Sequence, residues 1–230
     1  MSFKSKLNDL ISLRGSYGSS FSMPSMAQMF SSEINLGSVR DFDDNIFVRQ
    51  AQIGNPELKP SLADNLNFGI ELNSFKRELI IDYWSIDYKN RVESESSQAL
   101  LISDPYGSSI TRNESGELIG VTTTYFNETS TKVSGFDFSF NENFDLNDLG
   151  NLKLIIKGTN FIEFLTPGAG TSAMINRVGR FNFDANTHSI PKKRINSFIQ
   201  WNYAPHELGL IARYIDGYTN ERNIPDSALS

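Results

Sequence analysis

The chain has 230 residues, of which 39% are hydrophobic and 21% are charged, and it contains no cysteine. This length suits one large or two small domains, and the lack of cysteine excludes disulfide bonds, thiolate metal sites and a cysteine nucleophile. The net charge of -6 argues against a nucleic-acid partner, because such proteins usually carry a basic surface. No stretch approaches the ~20 consecutive apolar residues of a membrane-spanning helix.

Helical patterning is scarce in this chain. Ser and Asn together make up 51 residues, and both favour turns and helix caps over helix interiors. One short helix is predicted from Ser22 to Phe30, with Ser22 as its N-cap and Pro24 in its first turn.

Alternating apolar and polar side chains, which are typical of strands, dominate the rest of the chain. Leu66 and Phe68, for example, flank the polar Asn67. Polar side chains predicted to share one face of the sheet are Asn67, Glu71, Asn196, Gln200 and Asn202. We predict seven strands, at residues 11–20, 64–73, 78–90, 132–144, 150–163, 194–203 and 207–217.

Short and long connections alternate strictly between these strands. Tight turns are predicted at 73–77, 145–150 and 204–207. The other links are a first, a second and a third long connection, at residues 21–63, 91–131 and 164–193. Loops of this length are uncommon in compact soluble domains, whereas outer-membrane barrels combine short periplasmic turns with long extracellular loops. The pattern therefore favours an all-β, antiparallel transmembrane barrel.

Aromatic residues near the predicted strand ends suit the interfacial girdle of such a barrel. They are Trp84, Tyr88, Trp201, Tyr203 and Tyr214. The pattern alone leaves open an alternative, a secreted soluble β-sandwich that serves as a binding or adhesion module.

Two motifs resemble the barrel region of TonB-dependent outer-membrane receptors. The first is LRGSYGSSFSMPSMAQMF at 13–30, and the second is GNPELKPSLADNLNFGIEL at 54–72. Segments 82–92, 125–140 and 190–218 resemble later strands of the same family, so the resemblance covers nearly the whole chain. Ser22 and Ser61 depart from the family pattern, which usually has Arg and Glu there.

The motif residues are expected to be structural rather than ligand-binding. Asn55-Pro56 and Lys59-Pro60 favour an extended segment that cannot join a strand ladder, as suits a loop re-entering the sheet. The motif residues singled out are Arg14, Tyr17, Gly18, Phe21, Pro24, Asn55, Pro56, Leu58, Lys59 and Pro60.

The resemblance implies a receptor that takes up a scarce nutrient, such as a ferric siderophore, cobalamin or a glycan. Members of the family carry a plug domain, a TonB-contacting box and about 22 strands. The implied partners are outer-membrane lipid, lipopolysaccharide, the TonB complex and an extracellular small-molecule ligand, with no cofactor and no catalysed reaction.

An odd number of seven strands suggests a partial barrel, because complete bacterial barrels have an even number. Residues 1–230 are therefore expected to be one barrel segment, without the plug domain and without the strands that close the cylinder.

Other candidate sites are weak. Asp41, Asp43 and Asn45 begin a calcium-loop pattern that fails at its glycine and at its final glutamate, so a solvated loop is expected. Glu93 and Glu95 are expected on the loop surface, and no catalytic triad is recognisable. His188 and His206 are expected to be solvent-exposed, and residues 192–194 form a basic cluster that could meet lipopolysaccharide phosphates.

Overall fold

A computed structural model of the protein describes residues 1–42, 44–168, 173–185 and 189–220. Strands predominate, with two short helices and one 3-10 turn at Asn147–Leu149. In chain order the elements are β1 (Ser2–Lys6), β2 (Ile11–Ser22), α1 (Met26–Phe30), β3 (Ser32–Asp41), β4 (Asp44–Ile53), β5 (Ser61–Ser74), β6 (Arg77–Lys89), β7 (Arg91–Ser94), α2 (Ser97–Ser103), β8 (Ile110–Arg112), β9 (Leu118–Glu128), β10 (Thr131–Asp145), β11 (Asn151–Pro167), β12 (Met174–Asn176), β13 (Lys193–Tyr203) and β14 (His206–Ile215).

The main sheet is an antiparallel barrel wall. Its strand order is β1-β2-β5-β6-β10-β11-β13-β14, with β12 added beside β11. All seven predicted strands are confirmed, and the three predicted tight turns join β5 to β6, β10 to β11 and β13 to β14. Neighbouring strands in this sheet are thus mostly neighbours in sequence, as expected of an up-and-down barrel.

The prediction missed β1, whose five residues pair with the first half of β2. The main path therefore contains eight strands, and the parity argument from an odd number does not hold. In the described chain β1 and β14 form the two edges of the sheet, which is not closed.

The pairing register separates the wall into a polar and an apolar face. Asn67 lies opposite Ser16 on β2, and Asn196 lies opposite Lys157 on β11. The other face carries Phe68 and Phe136, each at least 40% exposed. In the described residues no second sheet covers these apolar side chains, which argues against the sandwich alternative, whereas a membrane barrel carries its apolar side chains on the outward face.

The predicted aromatic girdle is partly wrong. Trp201 and Tyr203 lie on the apolar face at the end of β13, with stacked rings 5.7 Å apart, and Tyr214 shares that face on β14. Trp84 and Tyr88 instead share the polar face with Asp82. The expectation relied on nearness to strand ends, whereas alternation along β6 decides which face a side chain takes.

A second, smaller sheet forms within the long connections, which were expected to be loops. Its order is β3-β4-β9-β7, and β8 also pairs with β9. The predicted helix begins at Met26 rather than near Ser22, because Ser25 is the N-cap and forms a capping box with Gln28.

The second sheet, formed by β3, β4, β7, β8 and β9, is called the outer sheet, and it has its own apolar core. Val39, Val48 and Val121 from three strands pack with Leu101 of α2 and with Leu118. The parallel pairing of β4 with β9 joins the first long connection to the second. The first and second long connections are therefore folded into one packed layer, called the loop layer, at one end of the barrel strands.

Candidate ligand-binding site

The two sequence motifs contribute to the wall and to the loop that returns to it. Arg14 donates to both carboxylate oxygens of Asp82, at 2.9 and 2.5 Å, across the intervening strand β5. Gly69 lies between them, and a Cβ there would collide with the Asp82 carboxylate and lie 3.0 Å from the Arg14 Nε. The absence of a side chain at Gly69 thus lets an ion pair span three strands.

The second motif fastens the end of the first long connection to β9. Asn55 Nδ2 donates to the carbonyl of Tyr125 at 2.9 Å, and Asn127 exchanges two hydrogen bonds with the backbone of Lys59. Leu58 is buried between these contacts, and Pro56 and Pro60 lie in the same segment. These bonds hold the returning chain where β5 begins.

The remaining residues of the first motif are more exposed. Tyr17 donates to Asp64 at 3.4 Å, and Phe21 is exposed at the end of β2. Gly18 has open space around it, and Pro24 directly precedes the Ser25 cap of α1. None of them lines the cleft described below.

Two contacts pin the second long connection onto the first. The Gln98 side chain accepts from the Arg40 backbone N–H at 2.8 Å and donates to its carbonyl at 3.0 Å, so α2 is bonded to β3. Arg112 makes a bidentate ion pair with Asp41, with both distances 2.8 Å. The hydrogen bonds to Asp41 raise the pKa of Arg112. From the sequence, Asp41 was expected to lie in a solvated loop, but in the structure its carboxylate is bound by Arg112.

Arg177 positions the third long connection. Its guanidinium is buried and donates to Thr166 at 2.8 Å, to Asp184 at 2.6 Å and to the carbonyl of Pro167 at 3.0 Å. Asn182 donates to the carbonyl of Arg177 at 3.1 Å. Residues 182–184 are thereby fixed to the end of β11.

A cleft of about 520 Å³, which we call the outer cleft, lies where the three long connections meet. Most of its lining side chains are amides or hydroxyls, and its described lining includes no Lys, Arg or His. The lining residues are Asn35, Ser38, Val39, Gln50, Gln52, Ser94, Glu95, Ser96, Ser97, Gln98, Thr123, Phe181, Asn182, Phe183, Ala185 and Ser189.

Alternation along β4 explains how one sheet face provides both the core and the cleft. Ile46 and Val48 face the apolar core, and Gln50 and Gln52 continue the same face into the cleft. Thr123, paired in register with Gln52, donates to the Gln52 Oε1 at 3.1 Å. The Gln52 Nε2 is buried and has no hydrogen-bond partner in the described chain.

A charged cluster lies beside the cleft where β7 leaves the wall. Arg91 pairs with Glu93 at 2.6 Å and with Glu128 at 2.8 Å. Burial raises the pKa of Glu93, although Arg91 opposes this shift. Glu93 and Glu95 were expected on the loop surface, but both are partly buried in this layer, and Glu95 accepts from the Thr124 N–H at 2.9 Å.

The other candidate residues do not form a site. Asn45 lies in β4 and His206 is exposed at the start of β14, whereas Asp43 and His188 fall outside the described residues. Among the described residues, no group of three or more His, Cys, Asp or Glu side chains could hold a metal ion. No helix in the described ranges is long and apolar enough to cross a membrane.

Sequence reasoning missed Gln50, Gln52, Gln98 and Thr123. A signal for the first two was present, because Ile46, Val48 and the two glutamines alternate with a period of two. Their meeting with α2 and β9 depends on contacts made about 50 to 70 residues away in sequence.

The fold is that of an outer-membrane barrel wall with a folded loop layer. A family model described as TonB dependent receptor-like, beta-barrel matches residues 2–228, and the chain belongs to this family. The family comprises outer-membrane receptors and transporters rather than enzymes. No curated protein gives a match by sequence.

Solved structures of similar fold include siderophore and hemophore receptors. The siderophore receptor PirA from Acinetobacter baumannii matches with a TM-score of 0.57 and 16% identity, over 98% of this chain and 30% of that one. A mutant of the ferric enterobactin receptor PfeA from Pseudomonas aeruginosa, in complex with enterobactin, gives a TM-score of 0.59 at 16% identity, over 94% and 27%.

A mutant of the hemophore receptor HasR from Serratia marcescens, in complex with HasA and heme, gives 0.55 at 14% identity, over 93% and 31%. The chain thus spans about a third or less of the length of these structures. At these identities the similarity concerns the fold.

Proposed function

We propose that the chain is part of a receptor that takes up a scarce nutrient across the outer membrane by TonB-dependent transport. The observation that carries this proposal is the outer cleft, to which all three long connections contribute in a chain of the TonB-dependent receptor family. The nutrient classes considered are a ferric siderophore, cobalamin and a glycan.

The whole receptor would be longer than this chain. Residues 1–230 would form one segment of a roughly 22-stranded barrel, with the plug domain, the TonB contact and the closing strands elsewhere in the protein. The apolar face of the wall would meet lipid, and the loop layer would lie beside lipopolysaccharide at the cell surface.

In this receptor the outer cleft would hold the ligand, and the chain would catalyse no reaction. Movement of the plug, driven through TonB, would release the ligand towards the periplasm, because a plugged lumen does not conduct by itself. The polar face of the wall, with Arg14 and Asp82, would contact the plug. The ten motif residues would support the wall and the loops without binding the ligand.

Uptake measurements test this function. Cells lacking the gene, with or without a plasmid-borne copy, would receive labelled ferric siderophore, cobalamin or oligosaccharide, each in a strain with TonB and in one without it. We expect at least one nutrient to accumulate only when both the receptor and TonB are present. Equal accumulation of every nutrient in all four strains would contradict the proposal, and glycine uptake provides a TonB-independent control.

A further inference from the structure

We infer that the outer cleft binds a neutral, hydroxyl-rich ligand of the oligosaccharide class rather than the ferric complex of an anionic siderophore. This inference rests on the proposed function, since it assigns the ligand class of the same cleft. It is carried by the charge of the lining, by the hydrogen-bonding groups that the lining offers and by one buried amide donor.

The charge of the lining disfavours an anionic ligand. The described lining offers no cationic side chain, and its single charged group is the carboxylate of Glu95. An anion moved from water into such a site loses hydration and gains no opposite charge, which is unfavourable. Two arginines of the long connections have acidic partners of their own, since Arg112 is paired with Asp41 and Arg177 with Asp184.

The polar groups of the lining match those of a sugar. A sugar hydroxyl both donates and accepts hydrogen bonds. The side-chain amides of Asn and Gln and the side-chain hydroxyls of Ser and Thr do the same. Three strands or helices contribute such groups on one side of the cleft: Asn35 on β3, Gln50 and Gln52 on β4, and Gln98 on α2. Neutral hydrogen-bonding pairs of this kind select for hydroxyl position without a net charge.

Gln52 provides a donor that the protein itself does not use. Its Oε1 is held by the hydroxyl of Thr123, which fixes the orientation of the amide, and its buried Nε2 has no partner in the described chain. A buried donor without a partner is costly, so such groups are rare in folded proteins unless a ligand or water satisfies them. Gln52 lines the cleft, so a turn of its side chain towards the cleft would let a ligand hydroxyl accept this hydrogen bond.

The lining of the cleft also includes two aromatic rings. Phe183 belongs to the segment held by Arg177, and Phe181 packs against Tyr218 with ring centroids 5.9 Å apart. The C–H faces of a sugar ring are apolar and pack against aromatic rings, so a lining that combines polar side chains with aromatic rings fits a carbohydrate. The volume of about 520 Å³ lies within the range of small-molecule sites.

Binding to the full-length receptor in detergent tests the inference. The probes are neutral oligosaccharides from α-glucan, β-glucan, fructan and xylan, with ferric enterobactin as the anionic probe, and the measurement is isothermal titration calorimetry. We expect at least one neutral oligosaccharide to bind and ferric enterobactin not to compete with it. Failure of all four neutral classes to bind, or competition by ferric enterobactin, would overturn the inference.

A pair of matched variants locates the binding. Gln52→Glu keeps the acceptor for Thr123 but replaces the Nε2 donor by an oxygen, and about a three- to tenfold loss of oligosaccharide affinity is expected. Asn45→Asp makes the same chemical change at an exposed position of β4 outside the cleft, and it should leave affinity unchanged. Equal affinities of the two variants would contradict the assignment.

Two further controls separate the possible failures. If Gln52→Glu does not fold, Gln50→Glu on the same strand face replaces it, with the same expected loss. TonB-dependent uptake of a ferric siderophore that is reduced by both cleft variants would overturn the inference and leave the proposed function standing. Loss of TonB dependence for every nutrient would instead overturn the proposed function.

Discussion

At the scale of single residues, the pair formed by Arg14 and Asp82 shows how a missing side chain becomes a structural requirement. The two groups lie on strands that are both paired with β5, and the guanidinium reaches the carboxylate only by passing over Gly69. Arg14 belongs to the first motif that resembles the receptor family, and Gly69 belongs to the second. Their geometry gives a physical reason why the two occur together.

We expect Gly69→Ala to destabilise the receptor by about 1 kcal/mol, because the new Cβ displaces the carboxylate of Asp82 from Arg14. The measurement is the midpoint of urea unfolding in detergent. Gly18→Ala is the control, since a Cβ at that position of β2 meets no atom within 4 Å. Equal midpoints for the two variants would show that Gly69 is not required for the ion pair.

Glu93 gives a prediction on pH. Its pKa is raised above the ordinary value of 4.5, mainly by burial, so the folded chain holds this proton more tightly than the unfolded chain does. The resulting stabilisation is complete below about pH 4.5 and is lost as the pH rises through the higher folded-state pKa.

Glu93→Gln mimics the protonated carboxyl. It should therefore slow hydrogen exchange in β7 and β9 at pH 7.5 and have no effect at pH 4, when variant and wild type are compared at the same pH. Glu114→Gln, at an exposed position of the same connection, should change exchange at neither pH. Faster exchange in Glu93→Gln at pH 7.5 would show that the charged form is the stabilising one.

At the scale of elements, the loop layer depends on its own core. The side chain of Leu101 on α2 is only 5% exposed and packs on Val39, Val48 and Val121. Val39 and Val48 belong to the first long connection, which joins β2 to β5. Leu101 and Val121 belong to the second, which joins β6 to β10. The packing of α2 therefore joins the first connection to the second, and the outer cleft lies directly beside it.

Leu101→Ala should destabilise the loop layer by about 2 to 5 kcal/mol, because it leaves a cavity in this small core. The barrel strands should be unaffected, since they contribute no residue to the cluster. Hydrogen exchange distinguishes the two parts, with faster exchange expected in β3, β4 and β9 only. Ile102→Ala is the control, because Ile102 is 48% exposed, and an equal effect of the two variants would refute a core role for Leu101.

At the scale of the whole molecule, the sheet presents two open edges and an exposed apolar face. Neither β1 nor β14 has a second partner strand in the described chain, and large apolar side chains cover one face of the wall. Unpaired edges and lipid-facing surfaces are stable only inside a closed barrel in a membrane.

Residues 1–230 expressed alone in buffer without detergent should therefore aggregate. Size-exclusion chromatography and chemical unfolding measure this directly, with the same chain in detergent as the control. A soluble monomer that unfolds cooperatively would contradict both the open-edge argument and the assignment of the apolar face to lipid.

The amino-acid sequence by itself determined the barrel wall. Seven strands, their tight turns and the polar side of Asn67 and Asn196 follow from alternation with a period of two, which is a local property. Where the reasoning used nearness to strand ends instead, as for Trp84 and Tyr88, it chose the wrong face. The short β1 was missed because five residues give little alternation to detect.

Only the tertiary structure decided the loop layer and its cleft. Strand β4 pairs with β9 in parallel, some 70 residues further along the chain, and no local pattern encodes such a partner. Gln52 becomes a buried donor because Thr123 arrives beside it, and Gln98 reaches the cleft because α2 is bonded to β3. The strands of the wall are specified by local alternation, whereas the candidate site is specified by contacts between distant segments.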